Sequence, residues 1–356
     1  MKTKITILGA GAWGQAITNC LCDINNTTNN YSITLWCHET NVITNLASQS
    51  SQPDISVSYN TSKSQNLANF KLEITQDLTS ALENCEFLFI AIPVQYLREI
   101  FTKLKKIINL NTKIILLSKG IEQESLLLSS EIAQEILGPD IKLAVLSGPS
   151  FAHDLQLKQP TAVIIAAEDL ALAQAVDNLF TPKINYQLNP KFETVINTDT
   201  SVRNNNYFHV QISQDILGVQ ICAAYKNIIA LGAGLLHGAG YLDNTRAYFL
   251  TKSLQELNLL VNNLTTVYGL AGVGDLILTA CSHKSRNFQV GAKLGAGIKL
   301  IEIMHVPSLA NCEALNTVKS IDLLAQKLSL NLPIAQAIAQ VVYAGAPVNE
   351  ILDALK

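Results

Sequence analysis

Basic runs, paired cysteines and clustered histidines are all missing from this 356-residue sequence. The formal charge is -3 and charged residues make up only 15%. Without a positive stripe, the chain offers nucleic acid or an acidic membrane surface little to bind, so an anionic substrate must be held by a local cluster of donors. The seven cysteines (Cys20, Cys22, Cys37, Cys85, Cys222, Cys281 and Cys312) are odd in number and contain no C-x-x-C pair. They read as reduced thiols of a cytoplasmic protein. The six histidines are scattered, no two of them at i, i+4, so no metal is expected. Glycines and polar residues break the apolar runs before the roughly 20 residues that a bilayer requires, and no membrane span is expected.

What is present is apolar mass, 48% of residues, in a chain long enough for two domains with substantial cores. Two lysines before an apolar stretch in MKTKITILGAGAWGQAI also describe a secretory leader. Gly9, Gly11 and Gly14 argue against it, because each weakens a leader helix by roughly 1 kcal/mol relative to alanine.

The first half alternates strand-like with helix-like segments. ITILG, SITLWC, FLFIAIP, KIILLSKG, KLAVLSG and TAVIIAAE read as strands, several of them continuously apolar, as when both faces of a sheet are covered. AWGQAITNCLC and SLLLSSEIAQEIL read as helices between them. This α/β order predicts a Rossmann-type doubly wound parallel sheet, residues 1–196. NNTTNN near Asn25 reads as a lengthened turn, and Asn197 to Ser213 as an Asn-rich insertion, a surface loop or hairpin. Residues 214–356 read as an all-helical domain: AAYKNIIALGAGLL, TRAYFLTKSLQELNLLVNNL, NCEALNTVKSIDLLAQKL and PIAQAIAQVVYAG, the last starting at Pro333.

GAGAWG, Gly9 to Gly14, follows the first strand and opens the first helix. In that setting Gly9 permits a tight turn, Gly11 lets backbone approach a pyrophosphate, and Gly14 lets helix pack on strand. The helix N-terminus adds free N–H groups and partial positive charge for phosphate. The second strand ends WCHE, where an Asp or Glu would select NAD by its ribose hydroxyl. Glu39 falls one or two residues late, His38 suits either a 2′-hydroxyl or a 2′-phosphate, and no Arg or Lys lies between Lys4 and Lys63. NAD and NADP both stay open.

Downstream come SKG at Ser118, SGPSFA at Ser147, YKNIIALGAG at Tyr225, GVGDLILT at Gly272, KSRN at Lys284 and CEALNTVK at Cys312. With GAGAWGQA ahead of them, these motifs resemble, in order and across nearly the whole chain, the bacterial NAD(P)-dependent glycerol-3-phosphate dehydrogenases. The resemblance implies hydride exchange between a nicotinamide and dihydroxyacetone phosphate or sn-glycerol 3-phosphate, at a site between the two domains, for phospholipid synthesis. It implies Lys226 as the proton donor and acceptor, with Lys119 and Asp275 as its catalytic companions.

The apolar surroundings of Lys226 and the positive charge of Lys119 favour a lowered pKa, although a lysine stem can also simply cover apolar surface. By the same resemblance, substrate contacts are Lys119, Gly148, Ser150, Lys226, Asn227, Asp275, Thr279, Ser285, Arg286 and Asn287. The Arg286 fork suits phosphate, with Ser285 otherwise an ordinary helix cap. Cofactor contacts are Gly9, Gly11, Ala12, Trp13, Gly14, His38, Lys119, Ala152, Arg286 and Glu313. A homodimer is the expected assembly. Three features depart from the family pattern. SQPDISVSYNTSKSQNLANF lacks the usual Asn-x-x-aromatic-Leu-Pro turn, Asn197 to Ser213 is extra length, and EALN replaces Glu-Gly-x-Arg after Cys312.

Overall fold

The computed structural model describes residues 2–28, 30–40, 57–58, 72–181, 207–310 and 312–356. They fall into two compact units: Met1–Ser118, Ile132–Leu146 and Ser150–Ile216 in the first, Lys119–Glu131, Ser147–Pro149 and Leu217–Lys356 in the second. Two short stretches from the sheet half thus belong to the second unit, a grouping that no single cut in the sequence expresses.

Among the described residues, the first unit has nine strands: β1 (Thr3–Leu8), β2 (Tyr31–Trp36), β3 (Val57–Ser58), β4 (Leu72–Thr75), β5 (Phe87–Ile90), β6 (Lys113–Leu116), β7 (Lys142–Ser147), β8 (Thr161–Ala166) and β9 (Phe208–Ser213). Their order is β3-β4-β2-β1-β5-β6-β7-β8-β9. β1 pairs in parallel with both β2 and β5, and β6 continues the parallel run from β5 to β7. All four residues of β5 are buried, as a strand covered on both faces requires. The doubly wound sheet is therefore present.

Several boundaries differ from the expectation. Phe208–Ser213 is not part of an inserted loop: it is β9, an edge strand parallel to β8 with Thr161 opposite Phe208. Its alternation of apolar and polar residues leaves Phe208 buried and His209 exposed. Residues 197–206 and most of the stretch lacking the family turn lie outside the described residues.

The first helix, Ala12–Thr28, runs through what was read as a turn at Asn25. Asn25 is buried, and its side chain accepts from the N–H of Tyr31 at 2.7 Å and donates to the same residue's carbonyl at 3.0 Å. That pair ties the helix end to the start of β2. The SLLLSSEIAQEIL helix begins only at Ser129, where Glu131 accepts the Leu128 N–H at 2.7 Å as an N-terminal cap does. The segment after Cys312 is two helices, Glu313–Lys319 and Ile321–Leu328, divided at Ser320.

The long helix Ile216–Gly238 organises the second unit. By length and composition it could cross a membrane, which corrects the expectation from interrupted runs. However, 89% of its most apolar 18-residue window is buried inside the protein, as for a core helix. It crosses the helix Arg286–Gly295 with backbone against backbone. A Cβ on Gly234 would stand 2.2 Å from the carbonyl oxygen of Phe288, and one on Gly291 would stand 2.1 Å from that of Leu231. Only glycine allows this approach.

A third helix, Asp243–Val261, is tied to the long one where Tyr225 donates to Glu256. Glu256 also accepts the N–H groups of Ile334 (2.8 Å) and Ala335 (3.0 Å) at the start of the Pro333–Ala339 helix. One buried carboxylate thereby fixes three helices around the residue preceding Lys226.

Candidate active site

In the first unit, the turn after β1 has the form its glycines imply. Gly9 adopts φ +107°, and its N–H donates to the Trp36 carbonyl at 3.0 Å. A Cβ on Gly14 would stand 1.9 Å from the Gly9 carbonyl oxygen, so helix and turn are in direct contact there. A Cβ on Gly11, by contrast, would meet nothing within 4 Å. Open space beside Gly11 and the first N–H groups of the Ala12–Thr28 helix form a cradle that fits a dinucleotide pyrophosphate.

Trp13 packs at the edge of the sheet core, as does Ala152, whose helix Ala152–Gln156 lies against the Ala12–Thr28 helix. Beyond β2, the His38 ring lies 6.1 Å from that of Trp36, and Gln76 donates to the His38 carbonyl at 3.2 Å. His38 and Glu39 are both exposed, and neither excludes a 2′-hydroxyl or a 2′-phosphate. Ser150 belongs to this first unit.

The second unit holds the lysines. Lys226 sits on the long helix with its side chain 7% exposed, and its Nζ donates to Asp275 Oδ1 at 2.5 Å and Thr279 Oγ1 at 2.9 Å. Lys119, in the loop after β6, donates to the other carboxylate oxygen at 2.7 Å and approaches the Gly148 carbonyl at 3.5 Å. Asp275 is 1% exposed and begins the helix Asp275–Ala280. A π-helical turn, Leu270–Gly274, precedes it. At Gly272 a Cβ would stand 1.9 Å from the Val267 carbonyl oxygen, so glycine is needed to bring Asp275 in. Thr279, one turn on, donates to the Asp275 carbonyl at 2.7 Å and turns a lone pair to Lys226.

This triad has three charges and one buried acceptor, and its members divide the burden unequally. Burial disfavours the ammonium of Lys226, and repulsion from Lys119 adds to that against the pull of Asp275, so its pKa is lowered to about 8. Burial also acts on Lys119, but there the attraction of Asp275 prevails and the pKa rises. Burial alone would raise the Asp275 carboxyl; the two lysines instead hold it below the usual range. The result is one lysine held charged, one poised to exchange a proton, and a carboxylate between them.

A second set of expected residues adjoins the first through Asn227. Asn227 Nδ2 donates to Glu313 Oε2 at 3.0 Å, and Asn287 Nδ2 donates to Asn227 Oδ1 at 2.8 Å. Ser285 accepts the Phe288 N–H at 3.3 Å, so it does cap the helix Arg286–Gly295. Arg286 is the first residue of that helix and is exposed.

Two participants were not foreseen from sequence. The Cys312 thiol donates to Asn287 Oδ1 at 3.1 Å, and the Ala314 N–H donates to the same oxygen at 3.2 Å. Their separation of 25 and 27 residues from Asn287 carries no periodicity that could have shown it. Among the described residues no group of His, Cys, Asp or Glu is arranged to hold a metal.

Known proteins resemble this chain along nearly its whole length. Residues 4–173 match the family described as NAD-dependent glycerol-3-phosphate dehydrogenase N-terminus, and residues 215–353 the corresponding C-terminus. The glycerol-3-phosphate dehydrogenase [NAD(P)+] of Limosilactobacillus reuteri (strain DSM 20016) is 34% identical over 364 residues, covering 100% of this chain and 97% of its own. That of Bacillus pumilus is 33% identical, with 99% and 93% covered. Among solved structures, glycerol-3-phosphate dehydrogenase from Coxiella burnetii superposes with a TM-score of 0.80 at 26% identity, covering 100% of this chain and 99% of the other. On these matches, the chain belongs to the NAD-dependent glycerol-3-phosphate dehydrogenase family.

Proposed function

We propose that the chain interconverts dihydroxyacetone phosphate and sn-glycerol 3-phosphate with NAD(P) as the redox partner, the first unit holding the cofactor and the second the substrate. The observation that carries this reading is the Lys119–Asp275–Lys226 triad, in which two lysines share one buried carboxylate and Lys226 is left close to its titration point.

When bound, the nicotinamide cofactor supplies or takes up the hydride at C2 of the substrate. Reduction then needs a proton for the oxygen at C2, and protonated Lys226 delivers it. Oxidation needs the hydroxyl proton removed, and neutral Lys226 accepts it. A pKa of about 8 serves both directions with little loss in either. Asp275 and Thr279 hold the amine in place, while Lys119 stays charged to stabilise developing negative charge on oxygen. Arg286, exposed at a helix N-terminus, supports a phosphate contact with its planar fork, and the Ser285 hydroxyl can still donate. Glu313, His38, Trp13 and Ala152 complete the proposed cofactor contacts.

The sn-glycerol 3-phosphate formed would feed phospholipid synthesis, in the cytoplasm, from a homodimer. Initial rates of NADH and NADPH oxidation with dihydroxyacetone phosphate test the reaction and its cofactor preference together. Turnover of an unphosphorylated keto acid alone would overturn it. Sedimentation of the purified chain as a monomer at micromolar concentration would remove the dimer.

A further inference from the structure

At the start of the helix Glu313–Lys319, the Cys312 carbonyl accepts the Leu315 N–H at 3.3 Å, and the Cys312 side chain makes no cap bond. The other first-turn N–H groups must find acceptors elsewhere. The Ala314 N–H finds Asn287 Oδ1, on a different helix, and the Cys312 thiol donates to the same oxygen. A backbone N–H can only donate, so the oxygen of the Asn287 amide has to face Ala314 and the nitrogen has to face the other way. There it meets Asn227 Oδ1. That oxygen is thereby engaged, and the Asn227 nitrogen is directed to Glu313, whose carboxylate can only accept. Every link runs in one direction, from Ala314 through Asn287 and Asn227 to Glu313, and each end is of a type that forbids reversal.

We propose that this one-way chain is a positioning device, in which Cys312 and the Ala314 N–H orient Asn287, and through it Asn227, so that both amides present N–H groups to the substrate's oxygens beside Lys226. The inference rests on the proposed dehydrogenase reading. Each asparagine amide uses one N–H within the chain, which leaves the other for a substrate. Both asparagines are buried, so an amide turned the wrong way would set oxygen against oxygen at Asn227 and nitrogen against nitrogen at Ala314. The thiol matters because one donor leaves the second lone pair of Asn287 Oδ1 empty. It also keeps its proton across the working range, since burial raises its pKa to about 11.

The test compares Cys312→Ser with Cys312→Ala in the full-length protein. Serine retains a donor but is the less comfortable residue in a buried apolar setting; alanine is the reverse. A positioning role puts activity and stability in opposite orders. KM for dihydroxyacetone phosphate rises roughly threefold or more in the alanine variant. The serine variant restores most of it. A merely structural role predicts that activity follows melting temperature, with alanine the better variant, and that result overturns the proposal.

A crystal structure of the alanine variant gives a reading independent of turnover. There the Asn287 side chain is expected to shift relative to the Ala314 N–H and Asn227, and in the serine variant to keep its place; an undisturbed Asn287 without the thiol also overturns it. If the unmodified protein turns over no three-carbon phosphate, the functional reading fails instead, and the Asn287 position still decides the chain.

Discussion

The amine of Lys226 lies 2.5 Å from Asp275 Oδ1, and neither side chain has more than 7% of its surface in solvent. The pair does not stand alone, because Lys119 holds the second oxygen. The whole triad carries one excess positive charge when all three groups are ionised, and release of the Lys226 proton removes it.

That release gives opposite pH profiles to the two directions. Below about 8 the ammonium predominates, so kcat/KM for oxidation of glycerol 3-phosphate climbs with pH and levels above that value. Reduction of dihydroxyacetone phosphate behaves inversely, level at low pH and falling above about 8. Replacement of Lys226 by alanine should abolish both limbs with turnover itself, while cofactor binding measured by fluorescence persists. A variant that kept most of the original kcat would move the proton-transfer role elsewhere.

Asp275→Asn removes the carboxylate that Lys119 and Lys226 both contact. Breaking a buried ion pair from one side costs about 3–5 kcal/mol, because the remaining charge is left uncompensated. Lys119 stays charged and loses this partner, so denaturant unfolding should register a loss of that order. The Lys226 pKa should fall further, which would flatten the oxidation profile at neutral pH.

For the anion site, Arg286→Ala should raise KM for the phosphorylated substrate by roughly 10- to 100-fold, since charge-assisted hydrogen bonds contribute about 1.5–3 kcal/mol. Arg286→Lys keeps the charge but loses the two-pronged geometry and should recover only part of the effect. A KM for Arg286→Lys equal to that of the unsubstituted protein would mean that charge alone matters there.

The glycine turn offers a paired test. A side chain at Gly11 would enter open space, whereas one at Gly14 would collide with the Gly9 carbonyl. Gly11→Val should therefore leave the melting temperature nearly unchanged and weaken cofactor binding, and Gly14→Val should lower the melting temperature. Unimpaired NADH and NADPH binding by Gly11→Val would show that the pyrophosphate does not approach that residue.

How much of this could be read in advance varied with the range of the signal. Gly9, Gly11 and Gly14 were legible because strand, turn and helix follow one another within a few residues. The parallel strands were legible from continuous apolar runs such as Phe87–Ile90. Phe208–Ser213 was misread because an Asn-rich stretch precedes it, and polar flanks hide an edge strand. Asn25 looked like a turn former, but its amide is used to bond Tyr31 from the end of a helix. The lysines and Asp275 were found by motif order, not by any spacing, since positions 119, 226 and 275 share no period. CEALNTVK marked Cys312 only as the start of a motif, and its role as a donor emerges only when the Asn287 helix lies beside it.

The crossing of the long helix with Arg286–Gly295 bears on what the enzyme can be taught to accept. Gly234 and Gly291 place the two helices in backbone contact, and nearer Lys226 and Arg286 the same helices are bridged by the Asn227 and Asn287 side chains. The scaffold acts as a ruler of fixed length. Selecting for substrates with one more carbon between carbonyl and phosphate should therefore yield changes in loops, and not at this crossing.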